Sequence, residues 1–109
     1  MLEKDVIPSV MKHIRDVRRE TCAVEVKLAR GESIPYTALE EHQEHALMIA
    51  TTGSMYHKIA DGSGQQTPFD AFCLYQVPAY VAVVWSKHKK HLTLIPIFDW
   101  LTERNRSTK

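Results

Sequence analysis

No apolar run in this 109-residue chain approaches the roughly 20 residues that a membrane helix requires, so a membrane-spanning protein is not expected. The opening Met1-Leu2-Glu3-Lys4-Asp5 carries no signal-peptide pattern, which points to an intracellular (cytoplasmic) protein. Cysteine is equally sparse. Cys22 and Cys73 have neither CxxC nor Cys/His zinc spacing, and both are expected as buried, reduced thiols. Charge of either sign is not in excess: the formal net charge is +1, which neither requires nor excludes nucleic acid as a partner. Internal repeats and low-complexity segments are absent. What remains, 44% hydrophobic and 25% charged, fits one globular domain spanning 1–109, too short for separate catalytic and binding domains.

Periodicity then divides the chain. Val6, Val10, Ile14 and Val17 form the stripe of an amphipathic helix over about 5–19, with Pro8 in its first turn and Arg15, Arg18 and Arg19 toward the negative end of its dipole. A strand over 21–30 follows. Thr37 and Glu40 have capping-box spacing, predicting a second helix from Thr37 to about Ala50 with Leu39, Gln43, Ala46, Leu47 and Ala50 on one face. Strand-like runs occupy 55–60, 69–76, 79–85 and 91–98, with 61–67 a polar loop between the first two. The run 80–85 is nearly all apolar, as expected of a central strand covered on both faces. Residues from about 99 onward are expected to form one short turn and fray, leaving about 100–109 a partly frayed tail.

One strand carries the chemistry. In Ala23-Val24-Glu25-Val26-Lys27-Leu28 side chains alternate, so Glu25 and Lys27 share one face while Val24, Val26 and Leu28 share the other. A carboxylate and an ammonium beside so much apolar surface would be costly if dried out unpaired. Two readings are open. One is an ion pair on a solvated sheet surface. The other is a metal-dependent phosphodiesterase in which Glu25 and the Val26 carbonyl ligate a divalent cation and Lys27 positions water or stabilises phosphate charge. Such a site needs a second carboxylate, and Asp70, after the polar loop and at the start of a strand, is the best candidate. Asp61, Glu3 and Glu20 are weaker ones. His42 and His45, three apart on the second helix, lack an HExxH-type context for zinc.

Glu25-Val26-Lys27, followed at helix spacing by Glu41-His42-Gln43-Glu44-His45-Ala46-Leu47 and then by the apolar strand 79–84, resembles the PD-(D/E)XK nuclease superfamily. Within it the order looks like the small, phage-type Holliday-junction-resolvase-like group, which the Lys58-Ile59-Ala60-Asp61 and Pro68-Phe69-Asp70 segments also resemble. The resemblance spans roughly residues 22–98. It implies an α/β fold with a restriction-endonuclease-like core, a central mixed β-sheet of about five strands flanked by two main helices. It also implies Mg²⁺- or Mn²⁺-dependent hydrolysis of branched or structured DNA by a homodimer. Glu25, Asp70 and the Val26 carbonyl would hold the metal, Lys27 would orient or activate the water, and Gln43 would hold water or the scissile phosphate. Arg15, Arg18, Arg19, Lys58, Lys87, Lys89 and Lys90 would contact backbone phosphates. In one respect the chain departs from the family, whose metal-binding Asp usually lies on the strand before Glu-x-Lys. Here that segment reads as a helix. Either Asp70 has taken over the role, the reading favoured here, or the fold binds nucleic acid or a protein without cutting.

Overall fold

The computed structural model describes residues 2–59, 69–88 and 91–107. Along the chain these form α1 (Glu3–His13), a π-helical turn (Ile14–Arg18), β1 (Ala23–Ala29), a 3-10 turn (Tyr36–Ala38), α2 (Glu41–Thr52), β2 (Ser54–Lys58), β3 (Ala71–Tyr75), β4 (Ala79–Trp85), a second 3-10 turn (Ser86–His88), β5 (His91–Pro96) and α3 (Ile97–Ser107). The expected polar loop 61–67, with Asp61, and also Lys89 and Lys90 lie outside the described residues.

The protein is α/β, but not with one five-stranded sheet and two helices. The five described strands divide into a mixed sheet in the order β1-β4-β5 and a separate β2-β3 hairpin, and there are three α-helices. β1 runs parallel to β4, with Glu25 opposite Val81 and Lys27 opposite Val83, while β5 is antiparallel to β4. A parallel pair needs a crossover. Here α2 and the hairpin together make it.

Alternation along β4 builds both sides of the core. Ala82 and Val84 join Val26 beneath Val6 and Val10 of α1 and Ile14 of the π-helical turn. Val81 and Val83 face the other way, into a cluster with Leu47 of α2 and Ile97 and Trp100 of α3. The central strand is therefore buried on both faces, as its unbroken apolar run implies. Among the described residues no helix is long and apolar enough to cross a membrane.

Five local expectations differ from the structure. The first helix stops at His13, and the wider turn that follows closes with the Arg19 N–H donating to the Ile14 carbonyl at 2.6 Å, Arg19 itself adopting φ 53°. The extra residue in this turn rotates Val17 off the stripe and leaves it 67% exposed. Pro8 falls within α1 rather than in its first turn, where it removes one helix hydrogen bond. The second helix starts at Glu41: residues 36–38 form a 3-10 turn, and the cap is Glu40 with Gln43, not Thr37 with Glu40. The tail is not frayed from residue 100. Ile97, Trp100, Leu101 and Arg104 recur at i, i+3, i+4 and i+7 in α3, whose Arg104 pairs with Glu44 of α2. The cysteines are free as expected, yet Cys22 is only half-buried and Cys73 is exposed, because it faces outward from the hairpin beside Tyr56.

The π-turn is pinned to β4 through Tyr80. Arg18 donates to the Tyr80 hydroxyl at 3.0 Å and to Glu20 at 3.0 Å, with its guanidinium 5.3 Å from the Tyr80 ring centroid. A hydrogen bond from Tyr80, then one from Arg18, holds the Glu20 carboxyl below its ordinary 4.5 against a smaller opposing effect of burial. The same bond to Glu20, then burial, pushes the Tyr80 phenol above its ordinary 10.0. The lowered carboxylate stabilises the fold above its unfolded pKa, and that contribution is lost as pH falls through the folded value. The raised phenol stabilises it below pH 10.0, a contribution lost as pH rises through its folded value. Tyr80→Phe is thus expected to lower unfolding free energy by about 1 kcal/mol at pH 7. Urea midpoints should show the wild-type advantage shrinking at pH 3, whereas an advantage constant with pH would contradict the Glu20 linkage.

Candidate active site

Strand alternation and one helix turn bring together three of the four side chains singled out in the sequence. Glu25 and Lys27 project from the α2 side of β1, and Gln43 comes down to them from the first turn of α2. The Gln43 Nε2 amide donates to Glu25 Oε1 at 2.8 Å, and Lys27 Nζ donates to Gln43 Oε1 at 3.0 Å. Lys27 Nζ also lies 3.4 Å from Glu25 Oε1, so the three groups close a ring.

The amide can point only one way. An ammonium only donates and a carboxylate only accepts, so Oε1 must face Lys27 and Nε2 must face Glu25. The helix start enforces the same choice, because the Glu40 backbone N–H also donates to Gln43 Oε1, at 3.0 Å. Gln43 therefore caps α2 and orients the site at once. The environment is uneven: the Lys27 side chain is 9% exposed and that of Glu25 28%. The solvated-surface reading of this pair does not describe it. The ammonium is buried, and the carboxylate keeps a path to solvent.

Among the described strands β1 lies at the edge of its sheet, and this turns a backbone oxygen beside the carboxylate away from β4. Ala23 donates its N–H inward to the Pro78 carbonyl ahead of β4, whereas Leu28 donates outward to Glu3 on α1. Main-chain groups alternate in direction along a strand, so the Val26 carbonyl points away from β4, to the same side as the Leu28 N–H. A half-open carboxylate and an edge carbonyl are hard oxygen donors, the type that Mg²⁺ or Mn²⁺ takes while retaining several waters. Glu25 and the Val26 carbonyl are two donors of this type.

Asp70 stands on the hairpin. Register pairs Met55 with Leu74 and His57 with Phe72, and the ladder extends one step as Ile59 donates to the Asp70 carbonyl at 2.8 Å. Asp70 thus belongs to the same hairpin face as Phe72 and Leu74, which line an open cavity of about 500 Å³ next to Glu25 and Gln43. It lies beyond that lining, two residues or about 7 Å along the strand from Phe72. Among the described residues no group of three or more His, Cys, Asp or Glu side chains is placed to hold a metal. His42 and His45 are exposed on α2, and His42 Nδ1 lies 3.4 Å from Glu40.

The basic residues do not share one surface. Arg15 pairs with Asp16, Arg18 is held by Glu20 and Tyr80, and Arg19 caps the π-turn. All three belong to the α1 side and to the start of β4. Lys87 is in the turn beyond the far end of β4, and Lys58 is on the hairpin face opposite Asp70. Two cavity residues had no place in the sequence reading of the site, His57 and Phe72. Only the hairpin register brings them to Glu25, and no spacing rule links them to it. Compared with protein-family models, with characterised proteins and with solved structures, the chain matches none.

Proposed function

We propose that this protein is a divalent-metal-dependent endonuclease with a restriction-endonuclease-like core, hydrolysing phosphodiester bonds in branched or structured DNA. The observation that carries this reading is the closed ring of Glu25, Gln43 and Lys27 on an edge strand, opening onto a cavity. A buried ion pair is a poor source of stability, so such an arrangement has a stronger rationale in chemistry. Glu25, the Val26 carbonyl and Asp70 would hold Mg²⁺ or Mn²⁺, which when bound supplies Lewis-acid stabilisation of phosphate charge and a more acidic water. Lys27, oriented by Gln43, offers a fixed positive charge to the phosphate and a hydrogen bond to the attacking water. Gln43 is a positioning residue. Arg15, Arg18, Arg19, Lys58, Lys87, Lys89 and Lys90 would contribute sequence-independent phosphate contacts. Cutting both strands at a branch requires two sites, so the active species would be a homodimer with two-fold symmetry.

Asp70→Asn tests the ligand that the hairpin would supply. With a labelled four-way junction and Mn²⁺, the wild type should give nicked product and the variant about 10²-fold less or lower still, with an unchanged melting temperature. A variant that cuts at the wild-type rate removes Asp70 from the site.

A second reading is favoured by the position of Asp70 outside the cavity lining and by the lack of a three-ligand group among the described residues. It is a nuclease-fold module that binds nucleic acid or a protein partner without cutting. Junction binding at low salt with no metal-dependent product would select it.

A further inference from the structure

The cavity beside the ring is built unlike a phosphate site. Its hairpin wall consists of Met55, His57, Phe72 and Leu74, its helix wall includes Ala46 and Leu47, and among the described residues no Lys or Arg lines it. Phe72 is 40% exposed, and the His57 ring leans against it with centroids 5.4 Å apart and planes at 37°. A tilted, partly open ring pair thus forms one side of a space of about 500 Å³, well within the range of small-ligand pockets. Its polar side chains besides His57 are Glu25, Gln43 and His42. An anionic sugar–phosphate chain would meet the Glu25 carboxylate and a largely apolar wall with no described cation to offset its charge. A neutral, flat heterocycle with hydrogen-bonding edges meets apolar surface for its face and polar groups for its edge.

We propose that this cavity receives one unstacked nucleobase, stacked on Phe72 with the His57 ring beside it, from the nucleotide next to the phosphate at Glu25. This rests on the nuclease reading for the position of the phosphate and adds a selection rule to it. Duplex DNA, whose bases are paired and stacked, cannot fill the pocket without losing a base pair, whereas a bulge, a branch point or a single strand presents a free base. Stacking on an aromatic ring tolerates any base, so the selection is for structure rather than sequence. Neither Phe72 nor His57 belongs to the metal or ammonium machinery.

The experiment is a fluorescence-anisotropy titration at fixed low salt in EDTA, comparing a blunt duplex, the same duplex with one unpaired base, and a third with an abasic residue at the bulge. The wild-type chain should bind the bulged duplex about tenfold more tightly than the blunt or abasic one. Phe72→Ala should reduce that ratio to near one, and Phe72→Trp should restore it. An undiminished ratio in Phe72→Ala, or equal wild-type affinity for all three duplexes, would overturn the proposal. Cleavage assays with Mn²⁺ separate this result from the parent reading. Cutting by a wild type with no bulge preference leaves the nuclease standing and removes the base pocket. A Phe72-dependent preference in a protein that never cuts keeps the pocket and removes the nuclease.

Discussion

Lys27→Met is expected to abolish metal-dependent DNA cleavage while leaving the protein as stable as the wild type, and Glu25→Gln to abolish it at a cost in stability. The asymmetry comes from what each substitution leaves behind. Methionine keeps an unbranched apolar stem beneath α2 and removes a buried ammonium, and Glu25 retains both the Gln43 amide and its path to solvent. Replacing a buried charge by an apolar side chain of similar volume is often neutral or better, so the unfolding free energy should stay within about 1 kcal/mol of wild type. Glutamine in place of Glu25 instead leaves the buried Lys27 ammonium without its counter-charge, held by neutral amide oxygens such as that of Gln43. Stranding a buried charge costs about 3–5 kcal/mol, and the surviving hydrogen bond reduces this to roughly 2–3 kcal/mol. Loss of a positioned charge or donor at a reacting phosphate typically costs about 10²–10³ in rate, and loss of a metal ligand should cost no less. Denaturant midpoints with single-turnover cleavage rates check both halves. A Lys27→Met protein that melts early would mean the pair is structural, and one that still cuts would remove Lys27 from the chemistry.

The largest effect on stability is expected at Trp100. Its ring is 3% exposed in the α2/α3 side of the core, edge-on to Tyr36 with centroids 5.3 Å apart and planes at 77°. Trp100→Ala should cost about 3–5 kcal/mol, a large part of the roughly 5–15 kcal/mol typical of a domain of this size. Trp100→Phe should cost much less than its lost volume suggests. The buried Trp100 Nε1 has no hydrogen-bond partner among the described residues, and phenylalanine removes that unsatisfied donor. Urea titrations of the two variants decide the matter. Equal and small losses would mean that α3 contributes little to the core.

What could be read ahead of the structure was what depends on short-range periodicity. Glu25 and Lys27 share a face because strands alternate, and Gln43 meets them because it occupies the sheet-facing stripe of the next helix. The same reasoning identified β4, whose apolar run admits no exposed face. Long-range pairing was not readable. Nothing local specifies that His57 opposes Phe72, or that the hairpin stays outside the main sheet instead of extending it to five strands. The π-turn was hidden for a different reason: Val17 fits an α-helical period, and only the bond from Arg19 to Ile14 shows that the turn has widened. α3 was missed because its apolar positions are few and lie among Asp99, Glu103 and Arg106, so that burial of Ile97 and Trp100 against β4, not composition, defines it.

Crystals soaked in Mn²⁺, with an anomalous difference map, test directly whether this strand and this hairpin share an ion. One peak is expected about 2.0–2.2 Å from a Glu25 oxygen and from the Val26 carbonyl, with Asp70 turned toward it directly or through one water. Manganese absent from β1 at millimolar concentration, or bound while Asp70 faces away into solvent, would contradict it.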